Sequence, residues 1–195
     1  MTLLSDEPES WPVTHVEPVF DGVLLGVRRD SIEHDGDTFD REIIVHPGAV
    51  GIVALDDDGR VLVLRQYRHA VQRGMIEIPA GLLDVEGEPP LEAARRELRE
   101  EGMLEADQWT PLLELRTSPG ASTEVVHLFL AERLRSVELP DGFTPRHEEA
   151  SMTRLWVALS DLVEAVLAGR VSNSLTVAGS LAVDRLRHGK PLSTA

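Results

Sequence analysis

The sequence predicts an α/β (α+β) chain: a mixed β-sheet flanked by helices, preceded by an antiparallel β meander at the N-terminal end. Three observations carry that expectation. Two extended apolar runs meet at Asp35-Gly36, a dipeptide that favours tight hairpins because both residues tolerate positive φ. The stretch G-A-V-G-I-V-A-L over 48–55 is almost continuously apolar, as suits a strand covered on both faces. The order strand, strand, helix, strands, helix, helix over the remainder suits a mixed sheet between helical layers.

Taken in order, residues 1–12 are acidic and proline-bearing and are expected to form a loosely held arm. Val23, Leu25, Val27 and Ile32 mark one extended run, and Phe39 to Val45 another. This segment, 1–46, offers few apolar residues for a core of its own, so it must lean on the rest of the chain or on a second subunit. Residues 47–195 form the second expected domain. Gly48 to Leu55 and Val61 to Arg68 read as a hairpin turning at Asp57, Asp58 and Gly59, and the second strand runs into R-Q-Y-R-H. Arg65, Arg68 and His69 at its end are either an ordinary basic edge or groups suited to a diphosphate. Trp109 to Arg116 and Glu124 to Ala131 read as strands joined by T-S-P-G-A-S-T, which Pro119 and Gly120 shape. After P-R-H-E-E-A-S-M comes a strand, Thr153 to Val157, then a helix capped by Ser160 and stopped at Gly169. A last helix over about Ser172 to Arg187 carries Leu175, Ala178, Leu181, Ala182 and Leu186 at helical spacing.

The 195 residues suffice for one domain with a sizeable core, or for one domain plus a small appendage. A net charge of −15, from 34 acidic and 19 basic residues, argues against nonspecific binding to nucleic-acid backbones. An anionic substrate must therefore be received by a local basic patch and a metal, against the field of the whole chain. The absence of cysteine excludes disulfides and thiolate chemistry. The seven histidines show no zinc spacing, and no apolar run is long enough to span a membrane. The N-terminus lacks a basic segment followed by a long apolar one, so a cytoplasmic enzyme is expected.

The chemistry concentrates in Pro79 to Met103, P-A-G-L-L-D-V-E-G-E-P-P-L-E-A-A-R-R-E-L-R-E-E-G-M. Pro89 and Pro90 mark a helix start. At helical spacing Glu97, Glu100 and Glu101 share one face beside an apolar stripe of Leu91, Ala94 and Leu98. Like charges so placed repel, and oxygen ligands without cysteine suit Mg²⁺ or Mn²⁺. A solvated charged face is the competing reading of this helix taken alone.

This stretch resembles the Nudix box, G-x5-E-x7-R-E-U-x-E-E-x-G-U with U aliphatic, the signature of enzymes that hydrolyse nucleoside diphosphates linked to another group. Gly81, Glu88, Arg96, Glu97, Leu98, Glu100, Glu101, Gly102 and Met103 take the motif positions. Six residues instead of five separate Gly81 from Glu88, and the residue expected between Glu101 and Gly102 is missing. Beyond the box, R-E-I-I-V-H-P-G-A-V, Y-R-H, S-P-G-A-S-T-E, H-E-E-A-S-M and N-S-L-T-V-A-G resemble, in that order, the ADP-ribose pyrophosphatase branch. Pro119 sits sixteen positions after Met103, where that branch carries a proline.

The resemblance implies the αβα sandwich of the Nudix fold and Mg²⁺-dependent cleavage of ADP-ribose to AMP and ribose 5-phosphate. It implies that Glu97 and Glu101 are the main metal ligands, that Glu100 adds a ligand or bridges through water, and that the Ala80 carbonyl completes the cluster. Arg96 would pair with Glu88, leaving Gly81, Glu88, Arg96 and Gly102 structural. Arg41 and Glu42 would reach the adenine across a homodimer interface built from swapped N-terminal strands, Arg68 would hold base or phosphates, and Glu124 would contact the terminal ribose. A loop carboxylate, Glu148 or Glu149, would take the proton from the attacking water, with Glu148 favoured by the strand that follows. Two alternatives stay open: a broader nucleotide-sugar or dinucleoside-diphosphate hydrolase, and a noncatalytic ADP-ribose sensor.

Overall fold

In the computed structural model, residues 4–138 and 152–189 are described. The chain divides into two compact units, Met1–Pro47 with Ser118–Glu124, and Gly48–Thr117 with Val125–Ala195. The first unit is an antiparallel sheet of β1 (Val13–Asp21), β2 (Gly26–His34) and β3 (Asp37–Val45) in that order. β2 and β3 join through Asp35 and Gly36, with φ of 52° and 82°, the doubly positive turn that matches the twist of flanking strands. The extended run expected to begin at Val23 begins at Gly26 instead. Val23 to Leu25 occupy a turn closed by a 3.0 Å bond from Gly22 N–H to Leu25 C=O, because apolar composition does not distinguish an exposed turn from a strand.

The S-P-G-A-S-T-E segment belongs to this unit by its hydrogen bonds. Ile44 N–H donates to Ala121 C=O at 2.8 Å, and Thr123 N–H donates to Ile44 C=O at 3.0 Å. His46 N–H donates to Thr123 Oγ1 at 3.0 Å. The turn is thereby stitched to the end of β3.

The second unit contains β4 (Ala49–Ala54), β5 (Arg60–Arg68), β6 (Arg73–Glu77), β7 (Ala80–Leu82), α1 (Pro90–Gly102), β8 (Leu104–Leu115), β9 (Val126–Ser136), β10 (Thr153–Ala158), α2 (Leu159–Leu167) and α3 (Ser174–His188). A mixed four-stranded sheet has the order β7-β4-β9-β8, with β4 and β9 parallel; an antiparallel sheet has the order β10-β5-β6. The expected hairpin of β4 and β5 is therefore corrected. Its remnant is one isolated Leu55–Val61 bridge, after which the strands part into different sheets. The cause lies in β4, which is buried along its whole length and takes β7 and β9 as its two neighbours. Asp56 shapes the departure: its Oδ1 accepts from Arg60 N–H at 2.7 Å and Asp58 N–H at 3.1 Å, as Asx turns do.

Alternating β4 residues feed two cores. Val50, Ile52 and Ala54 pack with Ala93, Ala94 and Leu98 of α1. Ala49 and Val53 pack with Leu159, Leu162 and Val183 of α2 and α3. The period-2 alternation of a strand thus puts one helical layer on each face, giving the αβα sandwich. Ser160 is not the cap of α2; Ala158 is, without a side-chain bond. α3 is capped by Asn173, whose side chain accepts from Thr176 N–H at 3.0 Å. Thr176 Oγ1 in turn accepts from Ile78 N–H at 3.0 Å, tying α3 to the segment that leads into β7.

Candidate active site

α1 starts at Pro90, with Pro89 as N-cap, and buries Ala93, Ala94, Glu97, Leu98 and Gly102. A glutamate in that row requires an unusual neighbour, and Gly81 on β7 supplies it. A Cβ on Gly81 would lie 2.0 Å from Glu97 Cδ, so only glycine lets this carboxylate settle on the strand backbone. Glu101, one turn on, reaches the same strand and accepts from Ala80 N–H at 2.9 Å. Glu100 stands 3.6 Å from Arg96 Nη1.

Arg96 knits the acids together. Its Nη1 lies 2.6 Å from Glu97 Oε1, and its Nη2 lies 3.0 Å from Glu88 Oε2. The Glu88 hydrogen bond foremost, opposed by burial and helped by Glu97, holds the guanidinium pKa above its ordinary value. For Glu97, burial pushes the carboxyl up to about 7; Arg96 opposes this, while Glu100 and Asp84 add to it. Glu88, Glu97 and Glu100 share Arg96, three carboxylates to one guanidinium.

That imbalance tests whether the residues fit a divalent cation. The donor set is all oxygen, from three carboxylates on one helical face with a backbone strand beside them, which suits a hard cation. Among the described residues no three acidic or histidine side chains converge on a common point, since Glu97 is turned to Arg96 and Glu101 to Ala80 N–H. The carboxylates fit the group by chemistry and charge, and must reorient to share it.

The expected gap between Glu101 and Gly102 does not shorten the helix. α1 runs through Gly102, and Met103 takes the left-handed C-cap conformation, φ 55° and ψ 40°, donating to the Arg99 and Leu98 carbonyls. Glycine therefore falls one position early, and a methionine occupies the conformation that glycine ordinarily serves. Arg154 on β10 donates to the Glu101 and Glu100 carbonyls, covering the negative end of the helix.

The remaining candidates lie apart in the chain. Arg68 is held by Glu77 through Nη2–Oε2 at 2.7 Å and Nε–Oε1 at 3.0 Å. In the first unit, Arg41 lies 4.4 Å over the Phe39 ring, Glu42 lies 3.4 Å from Arg29, and Glu124 lies 3.5 Å from His46. Glu148 and Glu149 fall outside the described residues. Sequence reasoning missed Glu77, Asp84, Arg154 and His46. Asp84 was readable as one more acid in the loop before α1; Arg154 and His46 have partners far along the chain, and Glu77 meets Arg68 across the β5–β6 pairing.

A family model for the NUDIX domain matches residues 45–175. The chain is 44% identical over 183 residues to an ADP-ribose pyrophosphatase of Mycobacterium tuberculosis, covering 91% of this chain and 87% of that protein. It is 33% identical over 162 residues to a methanol dehydrogenase activator of Bacillus methanolicus, covering 83% and 85% respectively. A solved structure described as an ADP compounds hydrolase superposes with a TM-score of 0.77 at 23% identity, covering 94% of this chain and 97% of the other. With its box carried by α1 in an αβα sandwich, this chain belongs to the Nudix hydrolase family.

Proposed function

We propose that this enzyme hydrolyses the diphosphate of ADP-ribose to AMP and ribose 5-phosphate with Mg²⁺, or Mn²⁺ in its place. The observation that carries the substrate is the 44% identity, over 91% of the chain, to a protein named for that activity. Support for the chemistry comes from the carboxylate face of α1. Glu97, Glu100 and Glu101, with the Ala80 carbonyl, would hold the metal. When bound, the ion supplies charge neutralisation for the diphosphate and a water of lowered pKa. Gly81 lets Glu97 approach β7, and Arg96 with Glu88 holds the carboxylates on one face. Glu148 or Glu149 serves as the base that takes the proton from the attacking water.

Arg41, Glu42, Arg68 and Glu124 bind the substrate in this reading, and the chain works as a homodimer. The first 46 residues form the segment given to the partner, and 47–195 the hydrolase domain. Support for a partner comes from β1, all nine of whose residues are exposed. A broader nucleotide-sugar hydrolase remains the second reading, because relatives named GDP-mannose pyrophosphatase match at 32% identity over 152 residues.

The test is a panel of ADP-ribose, GDP-mannose, ADP-glucose and dinucleoside diphosphates, assayed with Mg²⁺ by phosphatase-coupled phosphate release. ADP-ribose should give the highest kcat/KM. A higher value for a nucleotide sugar favours the second reading, and tight ADP-ribose binding with no turnover of any compound would establish a sensor.

A further inference from the structure

The charged helix has a second face, turned away from Glu97, Glu100 and Glu101. A cavity of about 440 Å³ is lined by Glu88, Glu92, Arg95, Arg96, Arg99, Glu105, Ala106, Trp109 and Arg135. On α1 these residues form a stripe at spacings of three and four, centred about 145° around the helix from Glu97, Glu100 and Glu101. β8 and the end of β9 supply the opposite wall, with Glu105 paired in register to Arg135.

Three features make this cavity more than a solvated edge. Four guanidinium groups line it in a chain of net charge −15; Arg96 is held by Glu88 and Glu97 and Arg95 by Glu92, which leaves Arg99 and Arg135 as the cationic pair on Glu105. Arg99 donates to Glu105 Oε1 and Arg135 to Glu105 Oε2, so two guanidinium charges share a single carboxylate charge. Arg135 finds only a further 3.7 Å contact with Asp107 among the described residues. The third feature is the aromatic wall. Trp109 Nε1–H donates to Ala106 C=O at 3.1 Å and the ring meets Phe129 edge-on, which fixes its plane. Arginine pairs suit phosphate oxygens and a fixed indole suits a base.

We infer that this cavity binds a nucleoside monophosphate, with its phosphate at Arg99 and Arg135 and its base against Trp109. The site is separate from the carboxylate face, although Arg96 lines the cavity and also holds Glu97.

A Trp11→Phe/Trp156→Phe protein leaves Trp109 as its only tryptophan, and its fluorescence can be titrated in EDTA with AMP, adenosine and inorganic phosphate. AMP should quench saturably and bind at least about tenfold more tightly than adenosine, with phosphate displacing AMP. Arg99→Gln and Arg135→Gln should each weaken AMP binding several-fold at unchanged circular dichroism, whereas Glu101→Gln should leave it intact. No saturable change up to about 10 mM AMP overturns the inference. So does equal affinity for AMP and adenosine, or loss of binding in Glu101→Gln with binding retained in the arginine variants. Calorimetry of the unsubstituted protein against its Arg135→Gln variant gives the same decision if the tryptophan replacements prevent folding.

Discussion

Glu97 is a buried carboxylate whose ionisation works against the stability of the fold. Burial against Gly81 raises its pKa from 4.5 to about 7. Between those values the folded chain keeps a proton that the unfolded chain has released, so this group's contribution to stability falls as pH rises. In EDTA, wild type should therefore lose stability relative to Glu97→Gln between pH 5 and pH 8, by on the order of 1–3 kcal/mol, measured by denaturant melts at both pH values. Parallel pH dependence of the two proteins would show that Glu97 is not held in this way. Glu101→Gln should leave the fold unchanged and lower kcat with Mg²⁺ by about a hundredfold or more, since even residues behind metal ligands are worth 10–100-fold. Wild-type turnover in that variant would remove this face from the reaction. The carboxylates were legible because their spacing is helical and local. Glu77 and Arg154 were not, because sheet pairing brings Arg68 to Glu77, and Arg154 on β10 meets the end of a helix some fifty residues earlier.

At the scale of elements, α1 illustrates how a motif departure can be absorbed. Read as a line of letters, the box lacks a residue before Gly102. In the structure the helix keeps its length and Met103 bears the left-handed conformation. A side chain with a Cβ is strained there, so Met103→Gly should raise stability by about 0.5–1 kcal/mol, or a few degrees in Tm. A loss of stability would show that the methionine side chain contributes more than its backbone costs. Helix and strand existence was legible from periodicity, whereas pairing was not. The 48–68 stretch carries every local sign of a hairpin, yet β4 pairs with β7 and β9 at its two edges while its two apolar faces pack on helices. The start of α2 departs from the expectation for a related reason. Ser160 has the right chemistry for a cap, but β10 continues to Ala158 and the helix follows without a break.

At the scale of the whole molecule, the sequence showed a thin N-terminal meander, and the structure shows how thin it is. β1 exposes Val13, Val16, Val19 and Phe20 by 49% to 61%, along a strand with no buried residue. An edge strand with an apolar surface of this kind invites pairing with another chain unless something covers it. One charge is buried in the sheet: Asp30 lies 3.1 Å from the partly exposed Arg28, and a pair of this kind is weak evidence for stability. A second copy is the occupant consistent with these features and with the homodimer proposed above. Light scattering across a size-exclusion peak should then give twice the chain mass, and Tm should rise with protein concentration, as linkage requires of a dimer more stable than its subunits. Val16→Asp with Phe20→Asp should shift the protein to the monomer mass and abolish that concentration dependence, while far-UV circular dichroism keeps the signal of the αβα unit. Turnover of ADP-ribose should fall with the dimer, because Arg41 and Glu42 would no longer be delivered to the partner's substrate. A wild-type protein that is monomeric from about 1 to 100 µM would refute the swapped arrangement, and a monomeric variant with full activity would show that Arg41 and Glu42 act within their own chain or not at all.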